Sequence, residues 1–459
     1  MQGLSIPELI TATQGECATV GTRAITAGLT TDSRAVRPGC IFLALTGERF
    51  DGNTFAAAAV EAGAAALVLS RPPAEPLDPA CTLILVPDTL IALQRLAQWW
   101  RGQLEPLSVI GLTGSSGKTS TKDMCLSILS RCGKAQATRG NLNNHIGVPL
   151  SILAAEKGLQ SAIWEMGMNH AGELAPLCAL TRPRIGIITT IGSAHLEFLG
   201  SRDAIAEEKC TLARALPPEG CMIYPAADDY ADYIASQTRA ECLPVGGADS
   251  RVRALNPRSS AEGTTYTLHI DGAGEVEVSL PVPGAHMVSN SLLAAAAAWK
   301  LGCSLPDIAA GLSCGSLTKG RLSCKRTGDY IIVDDSYNAN PESMRAALDT
   351  VAALPGARRA IAVLGKMCEL GPQGIAAHEA IGRRAAELGY AALIVVGAEC
   401  PETLALCRGA AGIPTQLVPT PQAGADALRA LLQPGDALLF KGSRAAGMEK
   451  TLAALFPEL

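Results

Sequence analysis

LSVIGLTGSSGKTSTKDM, residues 107–124, decides how the rest of the chain is read. Val109, Ile110 and Leu112 form a branched apolar run that predicts a buried strand, and a Gly/Ser turn separates it from a helix expected to start near Lys118. Gly114 and Gly117 permit backbone conformations and close approaches that a Cβ would block, so successive N–H groups can face an anion at a positive helix end. Lys118 adds a point charge for terminal phosphates, and the Thr119 hydroxyl suits a magnesium ion. Strand, loop and helix of this kind predict a nucleotide site formed by Thr113, Gly114, Ser115, Ser116, Gly117, Lys118 and Thr119.

The general phosphate-loop pattern has a further glycine at the position of Leu112. The loop is therefore the shorter T-G-S-S-G-K-T form. In this it resembles the phosphate loops of the Mur ligases and folylpolyglutamate synthases rather than those of GTPases, motors or transporters.

Composition bounds the alternatives. A chain of 459 residues predicts about three domains at ~150 residues each. An apolar fraction of 48% is ample for packed cores and argues against disorder. Net charge is −5 with no Lys/Arg block, which argues against nucleic acid or an anionic membrane as the main partner. The fifteen cysteines are odd in number and scattered, with no C-x-x-C pair, so a reduced, cytoplasmic protein is expected. The first basic residue is Arg23, which predicts no targeting segment, and no apolar run predicts membrane insertion.

Residues 1–104 alternate short strand and helix signals. CIFLAL (40–45) predicts a buried strand and FAAAAVEAGA (55–64) a helix that Gly63 can stop. The segment TTDSRAVRPGCIFLALTGERFDGNTF resembles the Mur ligase pattern that helps hold a UDP-sugar, which implies Ser33, Arg34 and Thr46 as substrate contacts. Taken alone, Arg34 reads equally as an Arg on a solvated turn. Asn53 stands where the family often has His, and no role is carried to it.

Beyond a linker near 102–106, residues 105–317 alternate in the manner of a parallel sheet covered by helices, with ligands expected at the carboxyl ends of its strands. ATRGNLNNHIGVPLSIL is a polar loop before a helix, and it resembles the loop of the family's dipeptide-adding branch. That implies Thr138, Asn141 and Asn144 as substrate contacts, although Asn is also an ordinary turn residue. SAIWEM delivers Glu165 at the end of a strand, where a carboxylate can hold magnesium. RIGIITTIGSAHLEFLG runs out to His195, which the family's A-H-L-E motif places beside a second metal ion. A helix is expected over Arg202–Leu216, on which Glu207, Glu208 and Lys209 read as a solvated face. The resemblance instead implies that Lys209 is carbamylated and becomes a metal ligand. TTYTLHI predicts a half-buried edge strand, and PGAHMVSNSLLAAAAAW resembles the motif near the adenine, with His286 and Asn290 retained and Met287 replacing an Asn.

After a boundary near 316–320, residues 318–459 again alternate strand and helix. They suggest a Rossmann-like topology, although no G-x-G-x-x-G occurs. Arg321 resembles the arginine that reaches the transferred phosphate, a task its rigid fork suits. DDSYNAN (334–340) resembles the dipeptide-adding signature and implies Asp335 for the ribose and Asn338 for the nucleotide edge. Lys366 reverses the charge of the family's G-D-M motif and is given no role, while Lys441, Gly442 and Ser443 are placed near the nucleotide or the incoming amine.

The expectation is a three-domain α/β protein in which a central phosphate-loop parallel sheet is flanked by an N-terminal α/β UDP-sugar domain and a C-terminal Rossmann-like domain. The resemblance implies an ATP-dependent amide ligase acting as a monomer on UDP-N-acetylmuramoyl-tripeptide and D-alanyl-D-alanine. Lys118, His195, Lys209 and Arg321 would be catalytic, and two magnesium ions would be held through Thr119, Glu165, His195 and Lys209. Tripeptide-forming and folylpolyglutamate-forming ligases, a nucleotide switch or transport ATPase lacking the N-K-x-D motif, and a nucleotide-binding scaffold without turnover are the alternatives.

Overall fold

The computed structural model describes residues 4–48, 50–315 and 317–458, so residue 316, within the expected boundary segment, lies outside them. The chain gathers into two compact units. The first comprises Met1–Gly111, Gly133–Gly167 and Glu173–Pro183; the second comprises Leu112–Cys132, Met168–Gly172 and Arg184–Leu459.

In the first unit, β1 (Glu16–Thr19), β2 (Leu29–Thr30), β3 (Ile41–Leu43), β6 (Ala66–Leu69) and β7 (Thr82–Leu85) form a sheet in the order β1-β7-β6-β3-β2. Only β1 runs antiparallel to its neighbour. A separate hairpin pairs β4 (Thr46–Gly47) with β5 (Phe50–Asp51). The expected CIFLAL strand is β3, and Phe42, Leu67 and Leu69 bury against Ala56, Ala59 and Val60 of the helix Ala56–Glu61. The predicted linker near 102–106 is anchored. Arg101 is 3% exposed and donates to the Thr181 carbonyl at 3.1 Å and to Glu105 at 2.7 Å. The first residues of β8 (Ser108–Thr113) lie beside β10 (Ser161–Glu165), which pairs in parallel with β9 (Ala135–Ala137).

In the second unit the end of β8 is followed in the sheet by β11 (Ile185–Ile188), β12 (Cys221–Pro225), β13 (Glu241–Val245), β14 (Val252–Ser260), β15 (Gly263–Ile270) and β16 (Gly274–Leu280). TTYTLHI alternates as expected but is not an edge, because β15 pairs with β14 on one side and β16 on the other. Its inward face packs on the helix Ala285–Lys300, where Tyr266 and Ser291 share a 2.7 Å hydroxyl hydrogen bond. Alternation reports one buried face and not the number of hydrogen-bonded neighbours. The single helix expected over Arg202–Leu216 divides into Arg202–Lys209 and Thr211–Ala215. The Arg214 guanidinium donates to the Glu207 carbonyl at 2.8 Å, taking the acceptor that a continuous helix would use for an N–H.

The last segment contributes β17 (Ser323–Thr327), β18 (Tyr330–Asp335), β19 (Arg359–Gly365), β20 (Ala392–Val396), β21 (Thr415–Val418) and β22 (Asp436–Lys441), in the order β17-β18-β22-β19-β20-β21. All pairs but β17–β18 are parallel. Ile332, Val363, Ile394, Leu438 and Phe440 form its core. The β18–β22 register sets Asp335 opposite Lys441 at the carboxyl ends of two adjacent strands, the side on which such sheets bind ligands. No helix among the described residues is long and apolar enough to cross a membrane.

Candidate active site

The phosphate loop lies in the second unit, between the end of β8 and the helix Lys118–Cys132, which begins at the predicted residue. Gly114 has φ +149, and a Cβ there would come within 1.9 Å of Thr189 Oγ1. At Gly117, with φ +81, a Cβ would come within 2.5 Å of Asn290 Oδ1. Asn290, read from the adenine-side motif, is thus brought against the loop by the helix Ala285–Lys300. Lys118 Nζ donates to the Gly114 carbonyl at 2.7 Å, curling back over the turn. The Ser115 N–H donates to the Thr190 carbonyl at 2.9 Å, and Ser115 Oγ accepts from the Gly192 N–H at 2.8 Å. The Thr189 hydroxyl donates to the Ser116 carbonyl. Thr113 and Thr119 are both buried.

Lys209 is not on a solvated face. It is 1% exposed at the end of the helix Arg202–Lys209, and burial, then the Lys118 charge, hold its ammonium well below the ordinary lysine range. His195 adopts φ +65, and its Nδ1 lies 2.6 Å from Glu369 Oε2, a carboxylate from the last segment. The Glu369 carboxyl is held below its usual range chiefly by that imidazole. Among the described residues no three His, Cys, Asp or Glu side chains gather into a metal-holding group.

The last segment meets this region at several points. The Thr318 N–H and hydroxyl donate to Asp123 Oδ2 at 2.9 and 2.7 Å. Arg321 sits in a turn fixed on both sides: the Tyr337 N–H donates to the Gly320 carbonyl at 3.0 Å, and the Leu322 N–H donates to Asp335 Oδ1 at 3.1 Å. The Arg321 guanidinium stacks 4.2 Å from the Tyr337 ring centre, and its buried Nε has no hydrogen-bond partner among the described residues. Asp335 also accepts from Lys441 Nζ at 2.5 Å, and the same Nζ donates to the Asn338 carbonyl at 3.0 Å. Asn338 Oδ1 accepts from the Ala339 N–H at 2.9 Å. His286 feels both Asp335 and Lys441, but burial outweighs them and pushes its imidazole down to about 4. Lys366, read without a role, pairs with Glu402 at 2.9 Å. The Ser443 N–H donates to the Lys366 carbonyl at 3.0 Å.

The sequence reading missed Asn340 and Glu342. Asn340 Nδ2 donates to the Ser115 carbonyl at 3.2 Å and to Ser116 Oγ at 2.8 Å, while Glu342 Oε1 accepts from the Ser193 N–H at 3.0 Å and its hydroxyl at 2.7 Å. Asn340 closes the DDSYNAN stretch, and there the Asn-Pro pair marks a helix start and not a ligand site.

In the first unit, the Glu165 N–H donates to Thr138 Oγ1 at 2.9 Å, so these two predicted residues meet. Asn143, not Asn141 or Asn144, donates to the Glu165 carboxylate, at 2.8 Å. Asn144 Oδ1 accepts from the Ile146 and Gly147 N–H groups at the start of the helix Gly147–Leu153, and the Asn141 carbonyl accepts from the Asn143 N–H. Arg34 is exposed and forms a two-point pair with Asp32 at 2.9 and 2.7 Å, beside Ser33 in a short 3₁₀ turn. Asn53 is buried and ties Thr46, Asp51 and Ser70 together, at 3.4, 2.7 and 2.9 Å.

Three family models match the chain: "Mur ligase family, catalytic domain" over residues 26–101, "Mur ligase middle domain" over 112–298 and "Mur ligase, glutamate ligase domain" over 320–444. The UDP-N-acetylmuramoyl-tripeptide–D-alanyl-D-alanine ligase of Escherichia coli is 38% identical over 434 residues, covering 93% of each chain. A crystal structure of MurF from Acinetobacter baumannii superposes with a TM-score of 0.90 at 36% identity, covering 99% of both chains. MurF ligase from Thermotoga maritima, solved in complex with ADP, gives 0.83 at 27% identity and covers 95% of this chain and 98% of its own. With relatedness of this depth across all three segments, the chain belongs to the Mur ligase family.

Proposed function

We propose that this chain is an ATP-dependent ligase that joins D-alanyl-D-alanine to UDP-N-acetylmuramoyl-tripeptide, giving the pentapeptide precursor of peptidoglycan, ADP and phosphate. The observation that carries the reading is the full-length relatedness to ligases of that name together with a phosphate loop contacted by groups of the last segment. The chain divides at 104/105 and 317/318 into a UDP-sugar domain, an ATP domain and a Rossmann-like domain. It acts in the cytoplasm as a monomer, in cell-wall formation and hence cell shape and division.

A carboxylate is a poor acyl donor because its oxygen leaves badly. Transfer of the γ-phosphoryl group to the tripeptide's terminal carboxylate gives an acyl phosphate, and attack by the dipeptide amine expels phosphate through a tetrahedral intermediate. Two anions must approach, so positioning and charge neutralisation do most of the catalysis. Lys118 and Arg321 supply that charge; the buried, unpartnered Nε of Arg321 supports an anion-facing role. Asp335 and Asn338 serve the ribose and nucleotide edge, and His286 and Asn290 the adenine side. Ser33, Arg34 and Thr46 serve the UDP-sugar end of the substrate, and Thr138, Asn141 and Asn144 are further substrate contacts.

Magnesium fits the donor chemistry of Thr119 and Glu165, both buried oxygen donors, with His195 and Lys209 at a second ion. Bound magnesium would neutralise phosphate charge. The depressed Lys209 amine supports carbamylation, since a neutral amine attacks carbon dioxide to form the N–C bond with loss of one N–H proton to water, and the resulting carbamate anion replaces repulsion from Lys118 with attraction.

The test is phosphate release with purified UDP-muramoyl-tripeptides, offering D-alanyl-D-alanine, single amino acids or glutamate as the amine. Release is expected with the dipeptide. Release with glutamate or a single amino acid instead would assign the chain to another ligase of the family.

A further inference from the structure

We infer that Asn340, contributed by the last segment, is a positioning residue that sets the peptide planes of the phosphate loop for nucleotide. The inference rests on the ATP reading above. Asn340 is 9% exposed and caps the helix Pro341–Ala352, its Oδ1 accepting from the Ser343 N–H at 2.9 Å. That cap uses only the oxygen. The amide nitrogen points the other way and donates to the Ser115 carbonyl at 3.2 Å and to Ser116 Oγ at 2.8 Å. The Ser116 hydroxyl in turn reaches Asn340 Oδ1 at 3.1 Å. The amide cannot be flipped without setting two donors, or two acceptors, against each other.

In a trans peptide the N–H points opposite to the carbonyl. Holding the Ser115 carbonyl toward Asn340 therefore turns the Ser116 N–H to the opposite side of the loop. The Thr189 hydroxyl does the same for the next peptide by holding the Ser116 carbonyl, which fixes the Gly117 N–H. Two successive donors are thus oriented before any anion arrives, and preorganised donors of this kind cost no rearrangement on binding. One hand of this clamp, Thr189, follows β11 within the same segment as the loop; the other belongs to a residue 224 positions away from Ser116. Nucleotide affinity should accordingly depend on a side chain that is remote in sequence and is not itself a phosphate ligand.

The experiment titrates the full chain with MgADP by calorimetry and records the unliganded melting midpoint. Asn340→Asp and Asn340→Ser both keep a good N-cap oxygen and remove the amide donor. Both are expected to bind MgADP ~10-fold more weakly and to lower the midpoint through the lost hydrogen bonds. Ser343→Ala, which weakens the cap without touching the loop, is expected to lower the midpoint and keep the affinity. Parent-like affinity in either Asn340 variant, or a loss of affinity in Ser343→Ala as large as theirs, overturns the inference and leaves the ATP reading standing. Failure of the parent chain to bind MgADP overturns both.

Discussion

His286 and Lys209 are two proposed site residues whose protonation departs from habit. Burial holds His286 at about 4, against about 6.5 for an unfolded histidine. Between those values the unfolded chain binds a proton that the folded chain refuses, so stability falls as pH drops from 6.5 toward 4 and this contribution is flat below. Melting midpoints of the parent and of His286→Gln, compared across that window, should show the parent losing more; parallel curves would remove the assignment. At Lys209 the expected chemistry is different. Activity should fall in bicarbonate-depleted buffer and return on adding bicarbonate, whereas Lys209→Arg should be inactive and unresponsive. Full activity of the arginine variant without carbon dioxide would end the carbamylation reading. Lys118→Ala should lose turnover by ~10²-fold or more, because a cation set against developing phosphate charge is worth several kcal/mol in a desolvated site.

At the level of elements, β22 links core and site within four residues. Leu438 and Phe440 are fully buried in the last segment's core, and Lys441 next to them pairs with Asp335. Phe440→Ala should cost about 3–5 kcal/mol by cavity formation, read as a lower denaturation midpoint, and should weaken nucleotide binding by loosening Lys441. The strand–loop–helix around Gly114 was legible because the residues that specify it are local: apolar run, glycines, lysine and helix start lie within eighteen residues. Asn340 and Asn143 were not legible, because an Asn before Pro and an Asn in a turn have local uses that account for them fully. The same limit explains Lys209. On a helix wheel it reads as one charge among three, and only the tertiary packing removes it from water. The break at Cys210 depends on where the Arg214 side chain turns, which helix propensity does not encode.

For the molecule as a whole, the contacts of the last segment with the loop region would make a bound nucleotide a ligand of more than the loop. Asp123, Ser115, Ser116, Ser193 and His195 each contact a residue beyond 317, through Thr318, Asn340, Glu342 and Glu369. A ligand that binds only the folded form stabilises it by RT ln(1 + [L]/Kd), about 2.7 kcal/mol at a hundredfold excess over Kd. If these contacts couple loop and last segment, that stabilisation is shared by both. Hydrogen exchange with saturating MgADP should then slow together in the helices Lys118–Cys132 and Pro341–Ala352, while the β3 and β6 strands of the first unit exchange as before. Lys118→Ala should abolish both effects. Protection confined to the Lys118–Cys132 helix would mean that the last segment opens independently of the bound nucleotide, and Arg321 would then have to be delivered by the peptide substrate instead.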